Sequence, residues 1–142
     1  MHGIRNESLT SLSFHDGEFE FVLSFDCFEH IPDYKKAFSE CARILQPEGA
    51  MLFTVPFVSG SEKNIVRARL NDAGETEHLL PPEYHGDPVN PEGCLAYYHF
   101  GWEMLNDLKE AGFSHSEAVL YWSAKYGYLG GEQIMFIAKK AG

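Results

Sequence analysis

The stretch that decides the fold is residues 19–33, FEFVLSFDCFEHIPD, in which an apolar run leads without a break into a turn with two acids and a histidine. Phenylalanine or leucine stands at positions 19, 21, 23 and 25, with Glu20, Val22 and Ser24 between them. A period of two of this kind is typical of a β-strand with one strongly apolar face. We therefore predict a strand over 19–25 and expect the chemistry of the chain in the turn that follows it.

A helix is predicted directly after this turn. Asp33 follows Pro32 and has the side chain expected of a helix N-cap. The apolar residues that come next fall on one helical stripe, and they are Tyr34, Ala37, Phe38, Cys41, Ile44 and Leu45. Lys36 and Glu40 are four residues apart and are expected to pair on the outer face. The helix is expected to end at residues 46–49, QPEG.

A second strand is predicted at residues 50–56, AMLFTVP. The order of strand, helix and strand predicts a βαβ unit with parallel strands and a right-handed crossover. The fold class is therefore α/β.

Residues 57–100 show a less regular pattern, whereas the residues from 101 onward again show patterns typical of a helix and of strands. NIVRARL (64–70) and TEHLL (76–80) are expected to form the arms of a hairpin, and residues 81–94 are expected to form a long loop. Residues 101–111 predict a helix with Gly112 at its left-handed end, marked by Trp102, Leu105, Leu108 and Ala111. HSEAVLYWSA (115–124) and QIMFIAKK (133–140) predict an antiparallel strand pair with a wide connection.

Composition and charge exclude several classes of function. Acids outnumber lysine plus arginine by 21 to 11, which gives a formal net charge of −10 and makes nucleic acid or a membrane surface an unsuitable partner. Cys27, Cys41 and Cys94 lack C-x-x-C spacing, so neither a disulfide framework nor a structural zinc site is expected. The sequence shows no signal peptide and no apolar run of membrane-spanning length. We expect one domain in the cytoplasm.

The first candidates for a site lie where the 19–25 strand ends, because ligands of open parallel sheets bind outside the carboxyl ends of the strands. These candidates are Ser24, Phe25, Asp26, Cys27, Glu29 and His30. A carboxylate and an imidazole at that place can orient a polar ligand, and a positioned histidine that takes a proton raises a rate by about 10²–10⁴. The alternative is that Glu29 and His30 only cap the next helix.

The same segment carries a family resemblance. Residues 9–57, LTSLSFHDGEFEFVLSFDCFEHIPDYKKAFSECARILQPEGAMLFTVPF, resemble the second half of the catalytic core of class I S-adenosylmethionine-dependent methyltransferases of the type 11-like kind. Those enzymes typically show L-x-x-L-P-F, a strand F-D-x-V-x-S, E-H-(V/I)-x-D, a helix with E-x-x-R-V-L, and Pro-Gly-Gly before a strand ending in x-x-P. All five signatures have counterparts here in the same order. The rest of the chain resembles, more loosely, the acceptor-side insert and last strands of one branch of the family.

The resemblance implies a partial Rossmann-like sheet, with a parallel βαβ unit followed by an antiparallel terminal strand pair. Within one domain of residues 1–142, it implies a cofactor-side βαβ unit over 1–56, acceptor-side loops over 57–100, and a C-terminal helix and strand pair over 101–142. The family's E/D-x-G-x-G-x-G loop, which grips the methionine part of the cofactor, has no counterpart in this sequence. The only glycine cluster, 127–131, lies between two predicted strands, where it cannot play that part.

The resemblance also assigns residues to the cofactor S-adenosylmethionine. Glu7, Ser8 and Leu9 match the stretch that holds the adenine, with Ser8 where an aspartate is typical. Ser24, Phe25 and Asp26 match the positions that line the sulfonium end. Glu48 replaces the first glycine of Pro-Gly-Gly, and Gly49 is expected to keep the turn by taking a positive φ.

Methyl transfer depends chiefly on holding donor and acceptor in line, and a single base is useful when the acceptor is a hydroxyl or an amine. His30 is the first candidate for that base. Tyr84, His85 and His99 are candidates for the acceptor side, with ordinary packing or surface roles as the alternative; Tyr97 and Tyr98 are also considered there. The spacing of residues 83–88, EYHGDP, with His78 and His99 fits no tight ligand pattern, so no metal site is predicted. The acceptor atom stays open among oxygen, nitrogen and carbon.

Two functional hypotheses follow, because the glycine loop would lie upstream of Met1. One is a methyltransferase of which this chain is a part, and the other is a catalytically inactive remnant that acts as an oligomeric interaction module. The strand 19–25 would then have an unpaired edge, which seeks a partner. We expect a homo-oligomer that covers this edge, unless residues 1–18 fold back over it.

Overall fold

The computed structural model describes residues 6–86 and 90–142. Its centre is a sheet of four strands, in which residues 19–25, 45–54, 128–140 and 113–123 lie side by side in this order. The strands are β1 (Phe19–Phe25), β2 (Leu45–Thr54), β9 (Phe113–Ser123) and β10 (Tyr128–Lys140). β1 is parallel to β2, whereas β10 is antiparallel to both β2 and β9. The predicted α/β class, parallel βαβ unit and terminal antiparallel pair are confirmed.

Six short strands make three two-stranded ribbons between β2 and β9. β3 (Ile65–Val66) pairs with β8 (Tyr98–His99), and β4 (Ala68–Leu70) pairs with β5 (Thr76–His78). The third ribbon is β6 (Tyr84–His85) with β7 (Cys94–Leu95). The hairpin around residues 71–75 is thus confirmed, but the predicted long loop over 81–94 contains a strand pair that its Pro and Gly content concealed. Asp87, Pro88 and Val89 lie outside the described residues.

Two helices pack on the same face of the sheet. Helix α1 (Tyr34–Ile44) begins at the predicted cap, where Asp33 Oδ1 accepts from the Lys36 amide at 3.1 Å. Helix α2 is Met104–Glu110, shorter than predicted, with Met104 and Leu108 fully buried and Trp102 outside it. Gly112 takes the expected positive φ, 109°. Both helices share one apolar core with β2 and β10, which includes Phe38, Cys41, Met51, Phe53, Met104, Leu108, Phe136 and Ala138.

The opposite face of β1 is open. Phe21, Leu23 and Phe25 are 68%, 63% and 58% exposed, whereas Val22 between them packs against the core. The alternation that predicted the strand was therefore correct, but its apolar face points away from both helices. Among the described residues β1 has only β2 as a strand partner, so its other edge is unpaired.

Residues 6–18 lie along the end of α1 and do not pair with the edge of β1. The Leu12 amide donates to Glu40 Oε2 at 2.8 Å, and the Arg43 guanidinium donates to the carbonyls of Leu12 and Phe14. Glu40 is buried and bonded to Arg43, which lowers its pKa to about 2. The prediction of an outward Lys36–Glu40 pair is wrong, because Glu40 anchors the incoming chain instead. The described part of residues 1–18 likewise does not cover the edge.

The turn between α1 and β2 differs from the prediction. Glu48 takes the positive φ, 63°, that was expected of Gly49. Gly49 is needed for a different reason, since a Cβ there would stand 2.9 Å from the Gln46 carbonyl oxygen and 3.1 Å from that of Glu20. The glycine thus permits close backbone approach between the start of β2 and its neighbour β1.

The last two strands of the sheet are joined by a short turn. The connection between β9 and β10 is a tight turn over residues 124–127, not a wide one, because β10 already begins at Tyr128. Within the described residues we find no helix that is both long enough and apolar enough to cross a membrane.

Candidate functional site

The carboxyl end of β1 is shaped by Asp26. This residue has a left-handed backbone, φ 47°, a conformation that few residues other than glycine adopt and that Asp tolerates. Its amide donates to the Thr54 carbonyl at 3.1 Å, and the Thr54 hydroxyl donates to Asp26 Oδ1 at 3.1 Å. The end of β2 thus fixes the sharp turn that follows β1 and leaves Asp26 exposed at the edge of the sheet.

Phe28 anchors the next turn. It begins a short 3₁₀ helix, Phe28–His30, and is fully buried. Its ring lies edge-on to Phe38 at 4.7 Å and to Phe53 at 5.5 Å between ring centres. Because the aromatic side chain is fixed in the core between α1 and β2, the two residues after it are held in place as well.

Glu29 is the most unusual of these residues. Its side chain is 0% exposed, and neither carboxylate oxygen has a hydrogen-bond partner among the described residues. The nearest opposite groups are His85 Nδ1 at 3.3 Å and His30 Nε2 at 3.5 Å, both measured to Oε1. Burial raises the pKa of Glu29, and the nearby Asp26 carboxylate adds to that rise. A carboxylate without donors at such a position is costly unless a cation or a proton compensates it.

His30 is oriented by the chain opposite. Its Nδ1 lies 2.8 Å from the Leu95 carbonyl oxygen, which can only accept, so Nδ1 carries the hydrogen. The neutral ring then presents the lone pair of Nε2 toward Glu29. The His30 and His85 rings stand edge to face, with centres 4.9 Å apart.

Glu83 ties two further histidines to this centre. Its Oε1 lies 3.3 Å from His85 Nε2 and 3.0 Å from His99 Nε2, and Arg67 reaches its Oε2 at 3.1 Å. The hydrogen bond to His99 is the main reason that the pKa of Glu83 is lowered. We call the group of Glu29, His30, Glu83, His85 and His99 the histidine–glutamate cluster.

Hydrogen bonds join residues 96–98 both to the turn after β1 and to Glu83. The Tyr97 amide donates to the Glu29 carbonyl at 2.7 Å, and the Ala96 amide donates to that of Glu83 at 2.9 Å. The Tyr98 hydroxyl donates to the Pro32 carbonyl at 2.6 Å. Three segments that are distant in sequence therefore meet at the carboxyl end of β1.

The structure brings together some of the predicted site residues. His30, His85 and His99 belong to one cluster, and Asp26 lies close enough to Glu29 to influence its pKa. Tyr84 precedes His85 on β6 and is exposed, whereas Tyr98 packs on Tyr34 and Tyr97 bonds to Thr76. His78 is exposed on β5 and does not belong to the cluster.

The hydrogen bonds described for residues 7–9 involve residues outside the histidine–glutamate cluster. The Glu7 carboxylate accepts from both the amide and the hydroxyl of Ser13, at 2.9 and 2.7 Å. Ser8 bonds to the Thr10 hydroxyl at 3.0 Å, and Leu9 packs against the core. Their assignment to the adenine of the cofactor stays a prediction.

Sequence analysis identifies one of the two carboxylates that organise the cluster. Glu29 is a site candidate there, with a helix cap as the alternative, whereas Glu83 is considered only within the 83–88 stretch for which no metal site is predicted. The available signal was the alternation in residues 83–85, EYH, since a strand places Glu83 and His85 on one side and Tyr84 on the other.

A second polar region lies at the junction of α1 and α2. It is a groove of about 330 Å³ that includes Lys35, Lys63, Glu103 and Asp107 in its lining. Its charged groups already pair with each other, Lys63 with Glu103 at 2.8 Å and Lys35 with Asp107 at 2.5 Å. Asp107 also accepts from the buried Tyr34 hydroxyl at 2.7 Å, so this region serves to join the two helices.

The known proteins to which this chain is similar are described as methyltransferases. Residues 2–53 match the family model described as a methyltransferase domain. The chain is 37% identical over 82 residues to a glycine/sarcosine/dimethylglycine N-methyltransferase of Actinopolyspora halophila, over 58% of this chain and 14% of that protein. It is 45% identical over 42 residues to phosphoethanolamine N-methyltransferase 2 of Caenorhabditis elegans, over 30% of this chain and 10% of that protein. The chain thus spans about a seventh or less of the length of these curated relatives.

Solved structures share the fold. A Methanosarcina mazei S-adenosylmethionine-dependent methyltransferase has a TM-score of 0.53 at 19% identity, with 95% of this chain and 65% of that chain covered. A methyltransferase from Mesorhizobium loti has a TM-score of 0.57 at 13% identity, with 94% and 67% covered. A Haemonchus contortus phosphoethanolamine N-methyltransferase, solved with S-adenosylhomocysteine, has a TM-score of 0.53 at 18% identity, with 95% and 36% covered. Residues 2–53 are thus similar to the methyltransferase-domain family, and the described residues share the fold of solved S-adenosylmethionine-dependent methyltransferases.

Proposed function

We propose that this chain supplies the acceptor side and part of the cofactor side of an S-adenosylmethionine-dependent methyltransferase that acts on a small-molecule acceptor. The observation that carries the proposal is the direct succession, at the carboxyl end of β1, of the exposed Asp26 turn, the buried Glu29 and the partly buried His30. Residues 57–100 supply the acceptor side through His85, His99 and the exposed Tyr84.

The cofactor side consists of residues at two places. When bound, S-adenosylmethionine supplies a methyl group on a positively charged sulfonium. Ser24, Phe25 and Asp26 would line that end, where the Asp26 carboxylate favours a cation. Glu7, Ser8 and Leu9 would contact the adenine.

His30 is the residue proposed to accept a proton from the acceptor. Its Nδ1–H is fixed by the Leu95 carbonyl, so the free lone pair is on Nε2. A proton taken up at Nε2 faces Glu29 Oε1, 3.5 Å away, and the negative charge of that carboxylate stabilises the resulting imidazolium. A base in this position contributes about 10²–10⁴ in rate.

The relatives support a small molecule as acceptor. Two curated relatives are named as N-methyltransferases of glycine and its methylated forms and of phosphoethanolamine. The acidic net charge of this chain, −10, also disfavours a polyanionic acceptor. The comparisons give no support to the alternative of an inactive remnant. Since the described cysteines, Cys27, Cys41 and Cys94, are free, we propose the reducing cytoplasm as its compartment.

The test is ligand-observed NMR with S-adenosylmethionine at millimolar concentration. We expect saturation transfer to the cofactor from the whole chain, with weak affinity, and a clear loss in Asp26→Asn. Asparagine tolerates the left-handed backbone, so this change removes the charge and keeps the turn. Asp72→Asn, in the exposed turn between β4 and β5, is the matched control and should behave like the unchanged chain. Absence of any transfer in the unchanged chain, or equal transfer in Asp26→Asn, would contradict the cofactor side of the proposal.

We also propose that two copies of the chain pair through the free edge of β1. The strand is nearly symmetric about Val22, so antiparallel pairing on a two-fold axis sets Phe19 opposite Phe25 and Phe21 opposite Leu23. Glu20 then faces Ser24, and no two like charges are opposed. The pairing satisfies the edge and extends the open apolar face across both copies.

Light scattering after size exclusion checks this pairing at micromolar concentration. We expect a dimer for the unchanged chain and a monomer for Leu23→Lys, because a charge at the centre of the paired strands opposes association. Leu120→Lys is the control, since Leu120 on β9 is 62% exposed but lies at the other edge of the sheet. A monodisperse monomer of the unchanged chain would refute the pairing.

A further inference from the structure

Three ligand atoms converge inside the histidine–glutamate cluster. Glu29 Oε1 lies 3.3 Å from His85 Nδ1 and 3.5 Å from His30 Nε2. Glu29, His30 and His85 offer one ligand atom each, and all three atoms lie within 4.8 Å of one another. None of these spacings is visible in the sequence, because His85 comes from the β6–β7 ribbon and the other two residues come from the turn after β1.

Two of the three separations fit a small tetrahedral ion, and the third, between the two histidines, is within 4.8 Å. With metal–ligand bonds of about 2.0–2.2 Å, the edge of a tetrahedron around zinc is roughly 3.3–3.5 Å. The two measured distances to Glu29 Oε1 fall in this range. The two histidines do not provide hydrogen bonds to the carboxylate, since neither Glu29 oxygen makes a hydrogen bond within the described residues.

The outer contacts are those of metal-binding histidines. Such a histidine usually donates its second ring N–H to a backbone carbonyl or a carboxylate, which fixes the ring and its tautomer. His30 Nδ1 faces the Leu95 carbonyl at 2.8 Å, and His85 Nε2 faces Glu83 at 3.3 Å. Glu83 is held in turn by Arg67 at 3.1 Å and by His99 at 3.0 Å.

The charges around Glu29 call for a cation. The groups that face it are His30 and His85, with Asp26 and the Cys27 thiol close by. No lysine or arginine in the described ranges, 6–86 and 90–142, forms an ion pair with Glu29. Two imidazole groups and one buried carboxylate therefore converge on one place, and no lysine or arginine of the described ranges neutralises the carboxylate there.

We propose that Glu29, His30 and His85 bind one divalent transition-metal ion of the zinc class. Imidazole together with carboxylate suits zinc and its neighbours better than magnesium or calcium, which prefer all-oxygen sites. Three protein ligands leave a fourth position for water or for a polar group of the acceptor. The binding does not depend on methyl transfer, and an ion at this site makes His30 Nε2 a ligand instead of a proton acceptor.

The experiment is a zinc titration of the chain, freed of metal by a chelator, in competition with a chromophoric zinc indicator. We expect one zinc per chain, and binding weakened by at least about 100-fold in His85→Ala and His30→Ala. His115→Ala is the control, because His115 lies 3.7 Å from Glu117 on the exposed side of β9 and resembles the site only in composition. It should bind zinc like the unchanged chain.

Thermal unfolding gives a second measurement that does not rely on the indicator. At zinc concentrations near 100 times Kd, the Tm of the unchanged chain should rise by roughly 5–10 °C. The Tm of His85→Ala should not rise, and His85 is a suitable site because it is partly exposed and its loss leaves the core intact. Equal zinc affinity and equal Tm shifts in the unchanged chain and His85→Ala would overturn the proposal, as would the absence of stoichiometric binding.

Discussion

Replacement of Phe28 by alanine is expected to lower the free energy of unfolding by about 3–5 kcal/mol. The side chain is fully buried and contacts Phe38 and Phe53, so its removal leaves a cavity that rigid neighbours on α1 and β2 cannot fill. Because a domain of this size is stabilised by only about 5–15 kcal/mol, the change removes a large part of its stability. Urea denaturation followed by far-UV circular dichroism measures the effect.

The same substitution should also disturb the site. Phe28 fixes the 3₁₀ turn that holds Glu29 and His30, so we expect weaker zinc binding even under conditions in which Phe28→Ala remains folded. Phe28→Leu keeps most of the apolar volume and should lose about 1–2 kcal/mol. Tyr126→Ala is the exposed control, with a change within about 0.5 kcal/mol. A loss below 1 kcal/mol for Phe28→Ala would show that this side chain does not anchor the turn.

Glu29→Gln is expected to stabilise the metal-free chain at pH 8 by about 1–3 kcal/mol. The buried carboxylate lacks hydrogen bonds, whereas an amide can donate to His30 Nε2 and carries no charge. The pKa of Glu29 is raised in the folded chain, mainly by burial, so the folded state holds this proton more tightly than the unfolded state. Its contribution to stability is therefore complete below the ordinary glutamate pKa and is lost as the pH rises through the raised value.

The advantage of Glu29→Gln should accordingly shrink between pH 8 and pH 5. Urea denaturation in EDTA at both pH values measures the difference. When zinc is present at pH 8, the unchanged chain should become more stable than Glu29→Gln, because only the chain with Glu29 binds zinc tightly. Glu117→Gln, beside His115 on β9, is the control and should change neither quantity. A Glu29→Gln chain that is less stable than the unchanged chain in EDTA at pH 8 would contradict this account.

Much of the fold could be predicted because its signals are local. The alternation of residues 19–25 predicted β1 with its correct bounds, and Asp33 marked the start of α1. The order of strand, helix and strand predicted the parallel pairing of β1 with β2, and the last two segments predicted the antiparallel pair. These features depend on the period of side chains along one element and on the rules that connect neighbouring elements.

Other features were wrong or incomplete where distant contacts overrode local rules. Glu40 has the spacing of an outward partner for Lys36, yet it binds Arg43 and the amide of Leu12. Glu48 takes the left-handed backbone although a glycine stands next to it, and Gly49 instead permits the close passage beside Gln46 and Glu20. A local pattern contains neither the incoming N-terminal segment nor the position of the adjacent strand.

The candidate site divides in the same way. The sequence by itself determined the strand, the turn after it, and the family to which residues 9–57 are similar, because each is written in residues that are neighbours in the chain. Only the tertiary structure decided that His85 and Glu83 meet Glu29 and His30, and that the apolar face of β1 lies open. A periodic pattern fixes which side chains share a face, but the groups that this face meets depend on how the 57–100 segment packs back on the turn, through bonds such as that from the Tyr97 amide to the Glu29 carbonyl.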